Sequence, residues 1–464
     1  MSARGGYFSS FAAILVVALV AGLLSYLAGF PETAVLAISV FFAEIAATLL
    51  LWDRRVPVAF LGVALLLALG ALNIESFLRF ANLDVIFFLI GMMAFVGTLE
   101  ERHFFDRLVS ITLNASKGNG VVLILAVLVL SALLAALVDE VTSIVVMTSF
   151  ILPLSRFAGV SPVPLLLLSI FATNIGSSAT VIGNPVGVLV AFRGGLTFGD
   201  FLRWATPISV LALAVLTVLA FRFQRSYIVS FTMGIASQRR VVPQDESTGS
   251  KSFRRDAILF LSTITSLALH HQLEELLHLE KNTLLLGIPL MAAAVSIMID
   301  LDRGMKAFRE RVDWPTLIFF AMLFASVGAL ESSGFIEYFS QGFSSVTGGT
   351  FELTLLLYST TATLMSAFMD NVLAVAVLLP VVEALAVAGI SSFPLYWVSL
   401  FCGTIGGNLT PIGSTANIVA LGLLEKAGYQ RPSLREWLRH GWWAAVVPLA
   451  LAISLIYVQI PLMP

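Results

Sequence analysis

Three carboxyl side chains of this chain lie at the ends of long apolar stretches. Asp139 and Glu140 follow the uncharged run 118–138, and Asp370 follows the uncharged run 353–369. A carboxylate is costly in hydrocarbon, so residues of this kind face a cavity and usually serve transport. Burial favours the uncharged form of a carboxyl group, which suits it to carry protons. We therefore expect these residues to line a transport pathway, with Asp370 carrying protons, although an aspartate can also cap a helix.

Small polar side chains are concentrated in two glycine-rich segments, TNIGSSATVIGNP (173–185) and GTIGGNLTPIGSTAN (403–417). Their oxygens are hard ligands suited to Na⁺, and the backbone groups freed where a helix breaks can coordinate ions of either sign. Packing of helices through small residues is the plainer alternative. The candidate substrate- and ion-binding residues are Asp139, Glu140, Thr142, Asn174, Ser177, Ser178, Thr180, Asn184, Asp370, Asn371, Asn408, Thr410, Ser414, Thr415 and Asn417. The candidate Na⁺ ligands among them are Asp139, Asn174, Asp370 and Asn408.

The two glycine-rich segments are diverged copies of one motif. Thr180 corresponds to Thr410 at a spacing of 230 residues, and Asp139 corresponds to Asp370 at a spacing of 231. A duplicated membrane protein with polar, helix-breaking residues at matched depths is typical of secondary transporters. We therefore expect the equivalent segments to meet around one cavity in the middle of the membrane.

The elements that hold these residues are predicted to be transmembrane helices, several of them interrupted. Segments 163–175 and 394–405 are short apolar runs that lead into the glycine-rich segments, which predicts two broken helices. Segments 140–158 and 371–388 each come directly after an acidic residue and contain an internal proline, which predicts arms of two re-entrant hairpins. The predicted fold class is an all-α polytopic membrane protein.

The composition supports this fold class and excludes others. Hydrophobic residues make up 58% and charged residues 12% of the 464 residues, whereas a soluble domain carries about 25% charged residues. The single cysteine, Cys402, excludes an internal disulfide and a multi-cysteine metal site. The chain has 26 basic and 28 acidic residues, so it lacks the excess of positive charge that is typical of nucleic-acid-binding proteins. We expect neither an enzyme nor a cofactor other than a coupling ion.

The distribution of basic residues predicts the topology. They cluster at 54–55, 222–255, 303–311 and 426–439, and by the positive-inside rule these regions are cytoplasmic. The amino terminus then lies inside and the carboxyl terminus outside the plasma (inner) membrane. Helices 84–100 and 313–331 both end in Val-Gly-x-Leu-Glu but run in opposite directions, which predicts an inverted repeat.

Four motifs carry a family resemblance: TNIGSSATVIGNP, DEVTS, MDNVLAVAVLLP and GGNLTPIGSTANIVALGLLEKAGY. They resemble the arsenite-efflux (ArsB), sodium/proton antiporter (NhaD) and pink-eyed-dilution (P protein) branch of the ion transporter superfamily. The resemblance implies a scaffold domain, a transport domain with the hairpins and broken helices, a homodimer and an elevator movement. Dicarboxylate carriers among such proteins have Ser-Asn-Thr at the hairpin tips, whereas here 139–142 read Asp-Glu-Val-Thr and 370–372 read Asp-Asn-Val. This departure argues against a dicarboxylate substrate.

Together these observations predict a secondary active transporter of the elevator type. Its expected substrate is a small inorganic ion or weak acid such as arsenite or silicic acid, coupled to H⁺ or Na⁺. Na⁺/H⁺ antiport is the alternative, and a passive ion channel, which needs no coupling gradient, is a second one. The predicted partners are a small inorganic solute, the lipid bilayer and a second copy of the chain. The predicted domains are N-terminal scaffold helices (1–80), a first inverted repeat (81–224), a cytoplasmic linker (225–255), connecting scaffold helices (256–311) and a second inverted repeat (312–464).

Overall fold

The computed structural model describes residues 2–114, 116, 118–237 and 250–464, and every regular element within them is helical. The first part of the chain forms α1 (Ser2–Leu27), α2 (Glu32–Leu50), α3 (Arg55–Ala68), α4 (Ile74–Phe80), α5 (Leu83–Glu101), α6 (Phe104–Asn114), α7 (Gly120–Leu137), α8 (Glu140–Phe157), α9 (Val163–Gly176), α10 (Pro185–Gly194), α11 (Phe198–Asp200), α12 (Thr206–Phe223) and α13 (Arg225–Ser237). The later part forms α14 (Ser250–Ala268), α15 (His270–Leu277), α16 (Thr283–Ile299), α17 (Leu301–Glu310), α18 (Trp314–Ser332), α19 (Phe335–Thr347), α20 (Phe351–Phe368), α21 (Asn371–Val387), α22 (Ser392–Gly406), α23 (Thr415–Lys426) and α24 (Leu434–Gln459). Residues 238–249 of the predicted linker lie outside the described residues.

Eight helices within these described ranges are long and apolar enough to cross a membrane. They are Ser9–Leu27, Glu32–Leu50, Leu83–Glu101, Gly120–Leu137, Glu140–Phe157, Phe198–Phe223, Trp314–Ser332 and Leu434–Leu462. Shorter apolar helices include α9, α10, α16 and α21. The predicted all-α polytopic membrane fold is confirmed.

The chain divides into two compact units. Unit 1 comprises residues 1–89, 313–357 and 376–392, and unit 2 comprises 90–312, 358–375 and 393–464. In unit 1, α2 packs against α1, α3 and α18. Glu44 on α2 is buried there, and Gly62 on α3 leaves room for its carboxyl group, since a methyl at that glycine would overlap it.

In unit 2, α7, α8 and α9 pack against one another. The close approach of α7 and α9 depends on Gly176, because a methyl group there would collide with the backbone of Ala132. Ser131 on α7 meets Ser169 on α9 with 2.7 Å between the hydroxyl oxygens. Ser131 and Ser169 therefore satisfy each other within this apolar packing.

Both predicted broken helices are observed. The first stops at Gly176 and resumes as α10 at Pro185, where Asn184 caps the new helix by accepting from the Gly187 N–H at 2.7 Å. The second stops at Gly406 and resumes as α23 after Ser414, which accepts from the Asn417 N–H at 3.3 Å. Asn184 and Ser414 are 230 residues apart, so the two repeats end their interruptions with equivalent caps.

Candidate substrate and ion site

The aspartates at the two hairpin tips both serve as helix caps. Asp139 separates α7 from α8, and its Oδ1 accepts from the N–H groups of Val141 at 2.7 Å and Thr142 at 2.8 Å. Its Oδ2 accepts from the Thr142 hydroxyl at 2.6 Å. All these contacts are local, so Asp139 and Thr142 hold the tip of the first hairpin together.

Asp370, at the tip of the second hairpin, also reaches a broken helix. Its Oδ1 accepts from the Val372 N–H at 3.0 Å, and its Oδ2 accepts from the Thr415 hydroxyl at 2.7 Å. Asp370 is 1% exposed. The second hairpin tip is thereby fixed to the first turn of α23.

The residues that follow the two aspartates meet each other across the repeat. The Asn371 amide lies 3.4 Å from Oε1 of Glu140, and the Ser177 hydroxyl lies 3.5 Å from Oε2. Glu140 and Asn371 are 231 residues apart in the chain and both are buried. The structure thus brings the start of α8 against the start of α21 and against the end of α9.

Three asparagines from the two broken helices form one buried cluster. Asn174 Nδ2 donates to Oδ1 of Asn408 at 2.7 Å and to Oδ1 of Asn417 at 3.0 Å. The Ser414 hydroxyl lies 3.1 Å from Oδ1 of Asn174 and 2.8 Å from Oδ1 of Asn417. Asn417 in turn donates to the carbonyl groups of Gly407 and Thr410, which fixes the orientation of its amide. This asparagine cluster joins the two repeats within unit 2.

In each repeat, one threonine connects the broken helix to the hairpin of the same repeat. The Thr180 hydroxyl donates to the carbonyl of Ala136, and the Thr410 hydroxyl donates to the carbonyl of Ala367. These bonds join the interruption of each broken helix to the last turn of the hairpin's first arm. Thr180 and Thr410 therefore help to hold the two interruptions in place, and their role as ligands stays a prediction.

Asn408 is the member of the asparagine cluster with spare hydrogen-bonding capacity. Its side chain is fully buried, and its Nδ2 has no hydrogen-bond partner among the residues that the structure describes. Its backbone carbonyl accepts from Nε1 of Trp437 on α24 at 3.0 Å. Sequence reasoning missed Trp437, because a tryptophan near the start of an apolar helix carries no local signal of a partner elsewhere.

The structure brings most of the predicted site residues together, but not as a single group. Asn174, Asn408, Ser414 and Asn417 form the asparagine cluster, and Ser177 connects it to Glu140, because the Ser177 hydroxyl also lies 3.1 Å from the Asn174 carbonyl. Ser178 instead pairs with Ser209 on α12 at 3.0 Å. Of the predicted Na⁺ ligands, Asn174 and Asn408 are paired, whereas the hydrogen bonds of Asp139 and Asp370 go elsewhere. The Na⁺ assignment stays a prediction.

The ionisable side chains in this region are acidic. Neither Glu140 nor the two tip aspartates form an ion pair with a lysine, arginine or histidine within the described part of the chain. Such a site attracts cations and disfavours multiply charged anions.

The chain is similar to known and uncharacterized membrane proteins, among them transporters. A family model described as a citrate transporter (CitMHS) matches residues 47–401 and 343–461. An uncharacterized transporter of Mycobacterium tuberculosis strain H37Rv is 31% identical over 383 residues, covering 81% of this chain and 85% of that protein. A 46 kDa membrane protein of Mycobacterium leprae is 29% identical over 432 residues, covering 90% of this chain and 97% of that protein.

A more distant relative belongs to the branch that the sequence motifs resemble. The human P protein is 25% identical over 504 residues, which cover 91% of this chain and 59% of the P protein. The crystal structure of the YdaH transporter of Alcanivorax borkumensis superposes with a TM-score of 0.58, covering 84% of this chain and 87% of that chain at 16% identity. The likeness to YdaH concerns the fold alone. The resemblance to the ion transporter superfamily is confirmed.

Proposed function

Because the chain belongs to the citrate transporter family, it is a multi-pass membrane transporter, and we propose that it is a secondary active transporter for a small inorganic ion or weak acid. One observation carries this proposal: equivalent polar segments of the two repeats meet at Glu140 with Asn371 and at Asn174 with Asn408. Inverted-repeat transporters bind their substrates where the interrupted helices of both repeats meet.

The chemistry of this region favours an uncharged solute with hydroxyl groups. The asparagine cluster offers amides and hydroxyls, and the spare Nδ2 of Asn408 can donate to a solute oxygen. The neighbouring carboxylates oppose a free tricarboxylate such as citrate, which would need positive charge around it. We therefore propose arsenite or silicic acid, both neutral weak acids near pH 7, as the substrate class. H⁺ or Na⁺ is the proposed coupling ion.

Na⁺/H⁺ antiport is a second candidate function. The buried carboxylates without a basic partner support it, because they can bind a cation without any other solute. The two functions differ in what is needed for ion movement. A coupled solute transporter moves the ion only together with the solute, whereas an antiporter exchanges Na⁺ for H⁺ in its absence.

Proteoliposomes with the purified protein separate these functions. We expect arsenite or silicic acid to accumulate when a pH or Na⁺ gradient is imposed, and protein-free liposomes serve as the control. If Na⁺ alone dissipates a pH gradient at the same rate with and without solute, the protein is an antiporter. If free citrate is the preferred solute of the panel, the charge argument fails.

We also propose the elevator mechanism, a homodimer and a cytoplasmic amino terminus in the plasma membrane. The positive-inside distribution of arginines and the family resemblance support these assignments. Because Cys402 is the single cysteine and is buried, the topology can be tested by labelling cysteines introduced at chosen positions. In a Cys402→Ala background, one cysteine introduced at residue 54 should react with an impermeant thiol reagent only after the membrane is opened.

A further inference from the structure

Glu44 is a buried carboxyl group of unit 1, whereas the candidate substrate and ion site lies in unit 2. It belongs to α2, one of the helices long and apolar enough to cross a membrane. The residue is 3% exposed, and neither Oε1 nor Oε2 has a hydrogen-bond partner among the residues that the structure describes. A carboxyl group inside a membrane-spanning helix is costly and is usually retained for a functional reason. Glu44 therefore requires an explanation of its own.

The surroundings of Glu44 come from α3 and α18. A methyl group at Gly62 of α3 would lie 2.3 Å from Oε2 of Glu44 and 2.7 Å from its Cδ, so the carboxyl group rests directly on this helix. On α18 the Ser326 hydroxyl faces the carboxyl group; it is fully buried and also lacks a partner of normal hydrogen-bond geometry within the described residues. Val63, next to Gly62, and Ala325, next to Ser326, belong to one buried apolar cluster. Glu44 and Ser326 thus lie beside an apolar contact between helices.

Within the described ranges, no basic side chain pairs with Glu44. Its helix packs against α1, α3, α18 and the turn between α2 and α3, and the other charged residues of these elements lie at or next to the ends of the helices. They are Arg4, Glu32, Asp53, Arg54, Arg55, Asp313 and Glu331. Arg55 precedes Gly62 by about two helical turns, roughly 10 Å, and its guanidinium donates to the Thr316 hydroxyl at 2.7 Å. Burial without an opposite charge favours the uncharged acid.

We propose that Glu44 is a proton-binding site of unit 1, at which the uncharged acid pairs with the Ser326 hydroxyl and holds α2 against α18. Loss of the proton leaves a charge between three helices with no partner. The carboxylate is then stabilised only if water enters between these helices. The packing of unit 1 therefore depends on pH. This inference goes beyond the proposed function, because it holds whichever solute or ion is transported.

The first test compares the pH dependence of thermal unfolding in the wild type and in Glu44→Gln, both purified in detergent micelles. Glutamine has the shape of the uncharged acid and can still donate a hydrogen bond, but it cannot ionise. Above the pH at which an exposed glutamate ionises, the unfolded chain releases this proton freely, whereas ionisation is costly in the folded chain, so a rising pH favours unfolding of the wild type. We expect the melting temperature of the wild type to fall by on the order of 1–2 °C more per pH unit than that of Glu44→Gln.

Two further variants keep this comparison decisive. Glu32→Gln removes an exposed carboxyl group at the start of the same helix and should retain the pH dependence of the wild type. Glu44→Met replaces the acid with an apolar side chain of similar length and should lose the pH dependence as Glu44→Gln does. It serves if Glu44→Gln does not fold. The proposal is overturned if the wild type and the folded Glu44 variant show the same pH dependence.

The second test observes the proton on Glu44 directly. Infrared spectroscopy distinguishes the carbonyl band of an uncharged carboxylic acid from the bands of a carboxylate. The wild-type spectrum minus that of the folded Glu44 variant should contain an acid band at neutral pH, and this band should disappear at alkaline pH. A carboxylate band in its place at neutral pH shows that Glu44 is ionised and contradicts the proposal. Neither test uses a solute, so both results are independent of the proposed transport function.

Discussion

Truncation of Asn174 to alanine should uncouple the two broken helices of unit 2. Asn174 takes part in three hydrogen bonds across the repeat, to Asn408, Asn417 and Ser414, at 2.7, 3.0 and 3.1 Å. After truncation, Ser414 and Asn417 still pair with each other at 2.8 Å. Oδ1 of Asn408 loses the donor that it has in the wild type. The variant therefore has one newly unsatisfied buried acceptor as well as three lost bonds.

The size of the effect follows from these contacts. Hydrogen bonds between membrane helices contribute about 0.6 kcal/mol each on average, so the three bonds account for about 2 kcal/mol. An unsatisfied buried acceptor costs a further 1 to 3 kcal/mol or so. We expect Asn174→Ala to lower the free energy of unfolding by about 3–5 kcal/mol. The Asn174–Asn408 pair should show a coupling energy of about 0.6–1.7 kcal/mol in a double-mutant cycle.

The assay is equilibrium unfolding of the purified protein in detergent micelles. Asn174→Ala, Asn408→Ala and the double variant make up the cycle. Thr173→Val is the matched control, because Thr173 is adjacent, equally buried and has a hydroxyl with no partner among the described residues. That control should be within about 0.5 kcal/mol of the wild type. The reasoning is refuted if Asn174→Ala is no less stable than Thr173→Val, or if the coupling energy is zero.

Two further predictions concern residues that shape the site. Trp437→Phe removes the donor to the Asn408 carbonyl and should lower the free energy of unfolding by about 1–3 kcal/mol in the same assay. The affinity for solute in uptake assays should fall as well. An unchanged free energy of unfolding together with an unchanged solute affinity would show that the bond is unimportant. Gly183→Ala places a methyl group against the carbonyl of Ser177 and should cost about 1–3 kcal/mol. Gly422→Ala, where nothing lies within 4 Å, should be as stable as the wild type or more so, and equal losses in both glycine variants would argue against a steric cause.

The predictable parts of this fold are those that local sequence dictates. Asp139 and Asp370 each follow an uncharged run, and glycine with asparagine or serine interrupts each broken helix, so both hairpin tips and both interruptions could be located. Spacing alone also indicated that equivalent segments should meet, and Glu140 does meet Asn371.

The sequence does not predict the hydrogen-bond partner of each polar side chain. Thr415 was expected as an ion ligand, but its hydroxyl donates to Asp370, and Thr180 donates to a backbone carbonyl. These pairings depend on distances between segments far apart in the chain, which no periodic pattern encodes. The assignment of Asp370 as the proton carrier stays a prediction.

The unequal charge of one repeat-related pair has an electrical consequence. Glu140 and Asn371 occupy equivalent positions, yet only one of them is ionisable. An elementary charge that crosses the whole membrane gains or loses about 2.3 kcal/mol per 100 mV. A protonated Glu140 is neutral and insensitive to voltage, whereas a potential that is negative inside drives an ionised Glu140 outward. If the ionised side chain moves through part of the membrane during transport, the transport rate depends on the membrane potential even when the solute is neutral.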